Sequence, residues 1–373
     1  MKKPSIIFTV INDLTHDQRM IRICKSLVRD NYEVLLVGRK LTKSKPLQPQ
    51  PFQQKRLYCF FQKGKFFYLE YNLRLLFFLW RKKLDAVCAI DLDTILPAYY
   101  VSRWKEKKLI YDAHEFFTEV PEVIERPLVK KIWEWVGRKT IPTCAYCYTV
   151  GHSLAEVLKK KYGTHFEVIR NMPEFKDFDE VKSLHQKPII LYQGALNVGR
   201  GLEEMLEAMT EINGAELWLA GEGDLSDFLR EKTIQLQIEN KVKFLGYLLP
   251  EDLRKITPQA TIGINLLKNN SLNYYYSLAN KTFDFVQAGV PAIHMDFPEY
   301  QNLIKEKEVG ILIVDLKKET IVEAVNVLLQ DADLYKELKD NCREARKIWT
   351  WENEEKKLLE FYKRVLDRLP RLG

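Results

Sequence analysis

Short apolar runs alternate with longer amphipathic ones along most of the chain. "SIIFTVI" (5–11) precedes "DQRMIRICKSLVRDNY", and "EVLLVG" follows; "AVCAI", "LIYDA", "YCYTV" and "FEVI" come later, with helical stretches between most of them. Apolar runs of this length, separated by helix-period segments, predict parallel strands joined by crossover helices. The pattern breaks at "NMPEFKDFDEVKSLHQKP", polar and bracketed by prolines, which predicts a linker over 171–187. It then restarts with "IILYQG", "AELWLAG", "VKFLGY", "TIGINLL", "PAIHMD" and "GILIV". The expected organisation is an α/β domain over 1–170, the linker, a second over 188–347, and a closing helix over 348–373 that packs back on the first domain. Two such doubly wound domains in tandem face a central cleft in this reading, with ligands at the strand C-terminal ends.

One short helix stands out. "SLANKTFDFVQAGVP" (277–291) ends with Gly289 as a C-terminal cap and Pro291 as a stop. At 100° per residue, Lys281, Asp284 and Ala288 share one face, while Phe283 and Val286 point elsewhere, to a core. A cation, a carboxylate and a small residue on one face suit a ligand better than packing. "YQGALNVGRGLEEML" offers a second helix start, with Gly199 and Gly201 letting the backbone approach closely and Arg200 beside the free N–H groups. Two helix starts in one sheet, each with a cation, suit the two phosphates of a diphosphate, and Asp284 one turn deeper suits a ribose diol. A surface ion pair for Lys281–Asp284 and a plain glycine-rich turn remain the bland alternatives.

Other nucleotide signatures are missing. No G-x-G-x-x-G follows the first strand, and no G-x-x-x-x-G-K-[ST] occurs; the lone G-x-G in "GEGD" (221–224) is weak. The 373-residue length and 46% hydrophobic content fit a two-domain folded protein. "LLFFLW" (75–80) is far shorter than the ~20 residues that span a bilayer. "SIIFTVI" runs into Asn12 and Asp13 with no small-residue cleavage site, so it reads as a strand and not a signal peptide. Six scattered cysteines, with Cys144 and Cys147 the one C-x-x-C, read as buried free thiols in a reducing, cytoplasmic setting. The net charge of +7 is uneven: no acid occurs between Glu33 and Glu70, and "FFQKGKFFYLEYNLRLLFFLWRKK" overlaps the end of that interval. This is either a solvated basic rim or a peripheral docking surface for anionic membrane; nucleic acid is not expected, since no recognition motif is present.

"LYQGALNVGRGLEEML", "LAGEGD", "VKFLGYL", "LANKTFDFVQAGVP" and "WTWENEEKKLLEFY" resemble the C-terminal domain of retaining glycosyltransferases of family four, of the GT-B fold with two tandem Rossmann-like domains and the bacterial polysaccharide-assembly type. "NDLTHDQRMIRICKSLVRDNYEVLLV" and "LIYDAHEFFTEVPEV" resemble the N-terminal domain of the same family. The resemblance implies a metal-independent retaining transfer from a nucleotide-diphosphate sugar to a glycan or lipid-linked acceptor, with no cofactor, in surface polysaccharide or lipopolysaccharide biosynthesis. It implies His114, Arg200 and Lys281 as catalytic. Gly194, Gly199, Arg200, Gly223, Tyr247, Asn280, Lys281 and Asp284 fall on the donor side, and Asp13, Arg19, Asp91 and Glu115 on the acceptor side of domain 1–170. Asp17 and Asp93 sit near these acceptor residues, and a helix N-cap is the expectation for Asp93. Two departures matter: Tyr276 stands where the family has the first of two glutamates, and Ala195 replaces an arginine, with Arg200 at the family's lysine. A nucleotide-sugar epimerase of the same fold and a non-catalytic nucleotide-sugar-binding protein are the rival readings.

Overall fold

The computed structural model describes residues 3–15, 17–175 and 186–366. Most of the linker expected over 171–187 therefore lies outside the described residues. The chain divides into two compact units, 1–171 with 353–373, and 172–352.

Unit 1 is built on strands β1 (Ser5–Thr9), β2 (Glu33–Lys40), β3 (Gln53–Tyr58), β4 (Ala86–Ile90), β5 (Lys108–Ala113), β6 (Tyr146–Thr149) and β7 (Glu167–Val168). They form one sheet in the order β3-β2-β1-β4-β5-β6-β7, and every pair is parallel. Central β4, "AVCAI", is buried along its whole length, as a strand covered by helices on both faces must be. Edge strand β3, "QQKRLY", was not apparent as an apolar run, because an edge strand faces solvent and needs little apolar side chain. Helix α1 (Gln18–Arg29) follows β1, and Asp17 caps it by accepting the Met20 N–H. Helices α2 (Gly64–Trp80), α3 (Ile95–Trp104) and α4 (Pro127–Thr140) join later strands. Chain order reverses beside β1: the chain steps out to β2 and β3, then returns to β4 on the other side.

Unit 2 repeats the design with β8 (Ile189–Gln193), β9 (Glu216–Ala220), β10 (Val242–Gly246), β11 (Ile262–Asn265), β12 (Ala292–Met295) and β13 (Gly310–Ile313). The order is β10-β9-β8-β11-β12-β13, again parallel throughout. Its reversal point lies between β8 and β11, the place where doubly wound sheets receive ligands. Helix α5 (Leu202–Met209) follows β8, α6 (Asn280–Gln287) precedes β12, and α7 (Pro298–Glu306) follows it. Last comes α8 (Trp351–Val365). Beyond residue 352 this helix belongs to unit 1, where the Tyr362 ring lies 5.9 Å from Phe8 and Phe361 lies 5.1 Å from Tyr148. Both rings are fully buried, and each such burial contributes roughly 1.5–3 kcal/mol.

Candidate functional site

In unit 2 the chain leaves β8 through Gly194, whose φ is 131°. A Cβ there would lie 3.6 Å from both Cε and Nζ of Lys281, so the glycine keeps the space beside the ammonium open. The loop then passes Gly199 and Gly201, both in the left-handed region at φ 84° and 64°. Close approach at these two is to protein: a Cβ would meet the Tyr274 ring at 2.5 Å and Leu266 at 2.6 Å respectively. Gly201 is the N-cap of α5, which puts Arg200 at that helix start.

Lys281 occupies the first turn of α6, and Asn280 at the helix start is exposed. The helix buries Phe283, Phe285, Val286 and Gln287 and leaves Lys281, Asp284 and Ala288 partly exposed, so the face inferred from the 3.6-residue period is the one that reaches solvent. Lys281 Nζ lies 3.7 Å from the Tyr192 ring centroid, and the Arg200 guanidinium lies 4.9 Å from that of Tyr274. Neither cation forms an ion pair among the described residues, and the buried Arg200 Nε has no hydrogen-bond partner there. Burial holds the Lys281 ammonium well below the usual lysine range; the Arg200 charge pushes the same way and Asp284 opposes it. Two cations are thus held together, each against an aromatic face, without an acid ion-paired to either among the described residues. That arrangement suits an anion with more than one charge.

Asp284 Oδ2 accepts the Gln193 Nε2–H at 3.0 Å, and Gln193 Oε1 accepts the Thr257 hydroxyl at 2.9 Å. Gln193 therefore sets the Asp284 carboxylate from the end of β8. Tyr300 does the same for the start of α6. Its hydroxyl accepts the Ala279 N–H at 3.2 Å and the Asn265 Nδ2–H at 2.8 Å. His294 stacks on the Tyr300 ring at 5.0 Å and is buried. Burial and then the Lys281 charge push this imidazole down to about 3, so it is neutral. Tyr276 closes the short helical turn 272–275, with its ring 5.0 Å from Tyr275. Tyr247, after β10, and Gly223, after β9, are both exposed. Gln193, His294 and Tyr300 were missed from sequence: each is one polar residue at a strand or helix end, with nothing local to mark it.

An anion bound at Lys281 would raise the lysine's pKa again, so binding takes up a proton wherever the free ammonium is partly deprotonated. Nucleoside diphosphate affinity should be highest below the depressed pKa of the free protein and should fall as pH rises through it. Calorimetry across pH in buffers of different ionisation enthalpy measures the uptake, and Lys281→Arg should abolish it.

Unit 1 gathers a second cluster at the ends of β4 and β5. Arg19 is buried and pairs with fully buried Asp112 at 3.1 Å, while its Nη1 donates to Ile169 O at 3.1 Å. His114 Nε2 lies 2.9 Å from Asp112 Oδ2 and 3.0 Å from Arg19 Nε. Burial lowers the His114 pKa, but the Asp112 charge and hydrogen bond outweigh this and raise it above the ordinary histidine value. Asp112 was not among the sequence candidates, although it lies two residues before His114. Arg19 is joined to His114, and its guanidinium is committed to Asp112 and to backbone.

Asp91 stands at φ 56°, ψ 177°, a region that costs a non-glycine residue about 1–3 kcal/mol. Its Oδ1 accepts the His114 N–H at 2.9 Å, and burial lifts its carboxyl to about 6 against the pull of His114. Glu115 is partly exposed beside His114. Asp13 is engaged in its own turn, accepting the Thr15 N–H at 3.2 Å and the Ser44 hydroxyl at 3.0 Å. The N-cap expectation for Asp93 is corrected: Asp93 lies inside the short 92–94 turn, Thr94 precedes α3 without a side-chain cap bond, and burial pushes the Asp93 carboxyl well above the usual range. All six cysteines, Cys144 and Cys147 included, are buried free thiols.

Residues 174–345 match the family described as "Glycosyl transferases group 1". Among curated proteins, an uncharacterized glycosyltransferase of Methanocaldococcus jannaschii is 25% identical over 49% of this chain and 46% of its own. A lipopolysaccharide core biosynthesis glycosyltransferase of Rhizobium meliloti is 21% identical over 42% of this chain and 44% of its own. The chain thus aligns with less than half the length of either relative. Among solved structures, sucrose-phosphate synthase of Thermosynechococcus elongatus superposes with a TM-score of 0.83 at 15% identity, over 98% of this chain and 100% of that one. An Anabaena protein solved with UDP-glucose gives 0.78 at 12% identity, over 96% and 99%. These likenesses establish the fold, two parallel-sheet Rossmann-like units of the GT-B class. The residues that match the glycosyl transferases group 1 family all lie in unit 2, the unit that holds the two cation-bearing helix starts.

Proposed function

We propose that the protein transfers a sugar from a nucleoside-diphosphate sugar to a glycan or lipid-linked acceptor, with retention of anomeric configuration and without a metal. The observation that carries this reading is the proximity of Lys281 and Arg200, two cations at two helix starts with no acid ion-paired to either among the described residues. As the diphosphate leaves the anomeric carbon its charge grows, and preorganised cations and helix N–H groups lower the barrier at that point. In this reading Asp284 holds the ribose, backbone near Gly223 and Tyr247 faces the base, and Gly194, Gly199 and Asn280 shape the phosphate cradle. His114 serves the reaction centre, with Asp112 raising its pKa. Asp13, Arg19, Asp91 and Glu115 form or support the acceptor side.

The similar proteins support the same direction: a glycosyltransferase, a lipopolysaccharide-core enzyme and a protein solved with UDP-glucose. Surface polysaccharide or lipopolysaccharide assembly is the proposed setting, in the cytoplasm and peripheral to the inner face of the membrane. Assay against UDP-, GDP- and dTDP-sugars tests the reading. Acceptor-dependent release of nucleoside diphosphate supports it. Conversion of the donor alone indicates an epimerase, and binding without turnover on any acceptor indicates a binding protein.

Asp284→Asn separates donor from acceptor roles. The substitution removes a charge and an acceptor from hydrogen bonds worth about 1.5–3 kcal/mol. Affinity for free nucleoside diphosphate and for intact donor should fall together, by roughly ten to a hundredfold. Wild-type nucleotide affinity with a raised acceptor Michaelis constant would place Asp284 on the acceptor instead.

A further inference from the structure

Two neighbouring helices of unit 1 turn large apolar side chains to solvent. On α2 these are Phe66, Leu69, Leu73, Phe77 and Trp80, spaced three or four residues apart and so forming one stripe. A different face of the same helix, with Phe67, Tyr71, Leu75 and Leu79, is the one that fills the core. On α4 the pattern recurs: Leu128 is 76% exposed, Ile132 60% and Trp135 55%. The two helices touch through residues off the stripes, where Tyr68 meets Trp133 edge-on with ring centroids 5.5 Å apart, and α3 packs against both. Packing within unit 1 explains neither stripe.

The exposed charges beside the stripes are mainly basic, although Glu122 and Glu125 stand exposed just ahead of α4. Exposed Lys63 and Lys65 stand at the start of α2, exposed Arg81, Lys82 and Lys83 follow its end, and exposed Lys131 and Arg138 flank the α4 stripe. Each helix holds a single acid, and both are engaged. Glu70 accepts the Phe60 and Phe61 N–H groups and pairs with Arg74 at 2.7 Å, and Glu134 lies 3.6 Å from Arg138. Two arginines of the acid-free interval contribute nothing here. The Arg39 guanidinium lies 4.4 Å from the Phe67 ring, and Arg56 donates to Asp13 O, Lys45 O and Thr15. Lys40, Lys43, Lys45 and Lys55 of the same interval are exposed too, but they lie on β3, at the end of β2 and in the segment between these strands, not at the ends of α2 or α4.

We propose that the exposed apolar stripes of α2 and α4 dock on an anionic lipid bilayer. The apolar stripes enter the boundary between headgroups and acyl chains, while lysines and arginines around them meet lipid phosphates. Long basic side chains reach back to the headgroups while their stems stay in apolar surroundings. Trp80, the last residue of α2, and Trp135 belong at the interface, where an indole keeps one end wet. A protein partner would need an acidic surface with an apolar furrow for each stripe. The proposal extends the lipid-linked acceptor reading above, but vesicle binding needs neither nucleotide nor acceptor, so each can fail alone.

Co-sedimentation with vesicles tests it, comparing equal parts phosphatidylglycerol and phosphatidylcholine with phosphatidylcholine alone. The full chain should bind the anionic vesicles, and binding should weaken with salt as the Debye length falls from ~10 Å at 0.1 M to ~3 Å at 1 M. Leu128→Ser with Ile132→Ser and Trp135→Ser should lower partitioning at least tenfold, with an unchanged melting temperature because these side chains already face water. Phe77→Ser with Trp80→Ser should act the same way. Equal binding to both kinds of vesicle, or wild-type binding by the α4 variant, overturns the proposal. So does failure to bind either vesicle, including the case where these variants abolish self-association in ultracentrifugation, which would assign the face to protein.

Discussion

Lys281→Ala is expected to lower turnover by roughly 10²–10³, the scale for losing one preorganised partner of a developing charge. The ammonium is held over the Tyr192 ring, beside Arg200, with no acid paired to it among the described residues. Holding two like charges together carries a cost in the free protein, which an anion relieves. Arg200→Ala should have an effect of the same order, since its guanidinium is placed by Tyr274 and by the tight turn through Gly199 and Gly201. The two losses should be less than additive, because both act on one diphosphate. Steady-state kinetics with the correct donor measures this. Near-normal turnover in both single variants would remove the diphosphate from this site.

The second large effect concerns unit 1 and is one of stability. Asp112→Ala should destabilise by about 3–5 kcal/mol, since it strands a buried guanidinium. Side-chain exposure is 4% for Arg19 and none for Asp112. Replacing both residues, Arg19→Met with Asp112→Leu, should recover much of the loss, because an apolar pair leaves no orphaned charge. Urea titration of the three proteins distinguishes the cases; equal losses for the single and double variants would mean the pair itself stabilises the fold. The same pair sets an acid limit. Burial opposes ionisation of Asp112, yet Arg19 and then His114 hold its carboxyl below the usual range. A depressed carboxyl contributes stability above the unfolded-state pKa, and that contribution is lost as pH falls through the folded-state pKa.

Much of the fold is legible because both sheets are parallel and covered. Strands such as "AVCAI" and "IILYQ" are buried at every position and read as unbroken apolar runs. Strand β3 escaped notice since its exposed edge position lets Gln53, Gln54, Lys55 and Arg56 serve there. Local periodicity was enough to put Lys281 and Asp284 on one partly exposed helical face, since they lie three residues apart on one helix. The supporting groups follow a different logic. Gln193 reaches Asp284 across 91 residues, and Arg19 reaches Asp112 across 93. Such pairs arise from strand order, which no local pattern reports. Basic residues were the least legible: "RLY" and "GRK" look like surface, yet Arg56 and Arg39 spend their guanidinium groups on backbone and a ring.

Calorimetric titration of UDP, GDP and dTDP into the wild-type chain and into Lys281→Ala, in metal-free buffer, tests the nucleotide site most directly. The account predicts that one of the three binds the wild type and that the variant binds it at least tenfold more weakly. A wild type that binds none of them, or a Lys281→Ala protein that binds as tightly as the wild type, would contradict it.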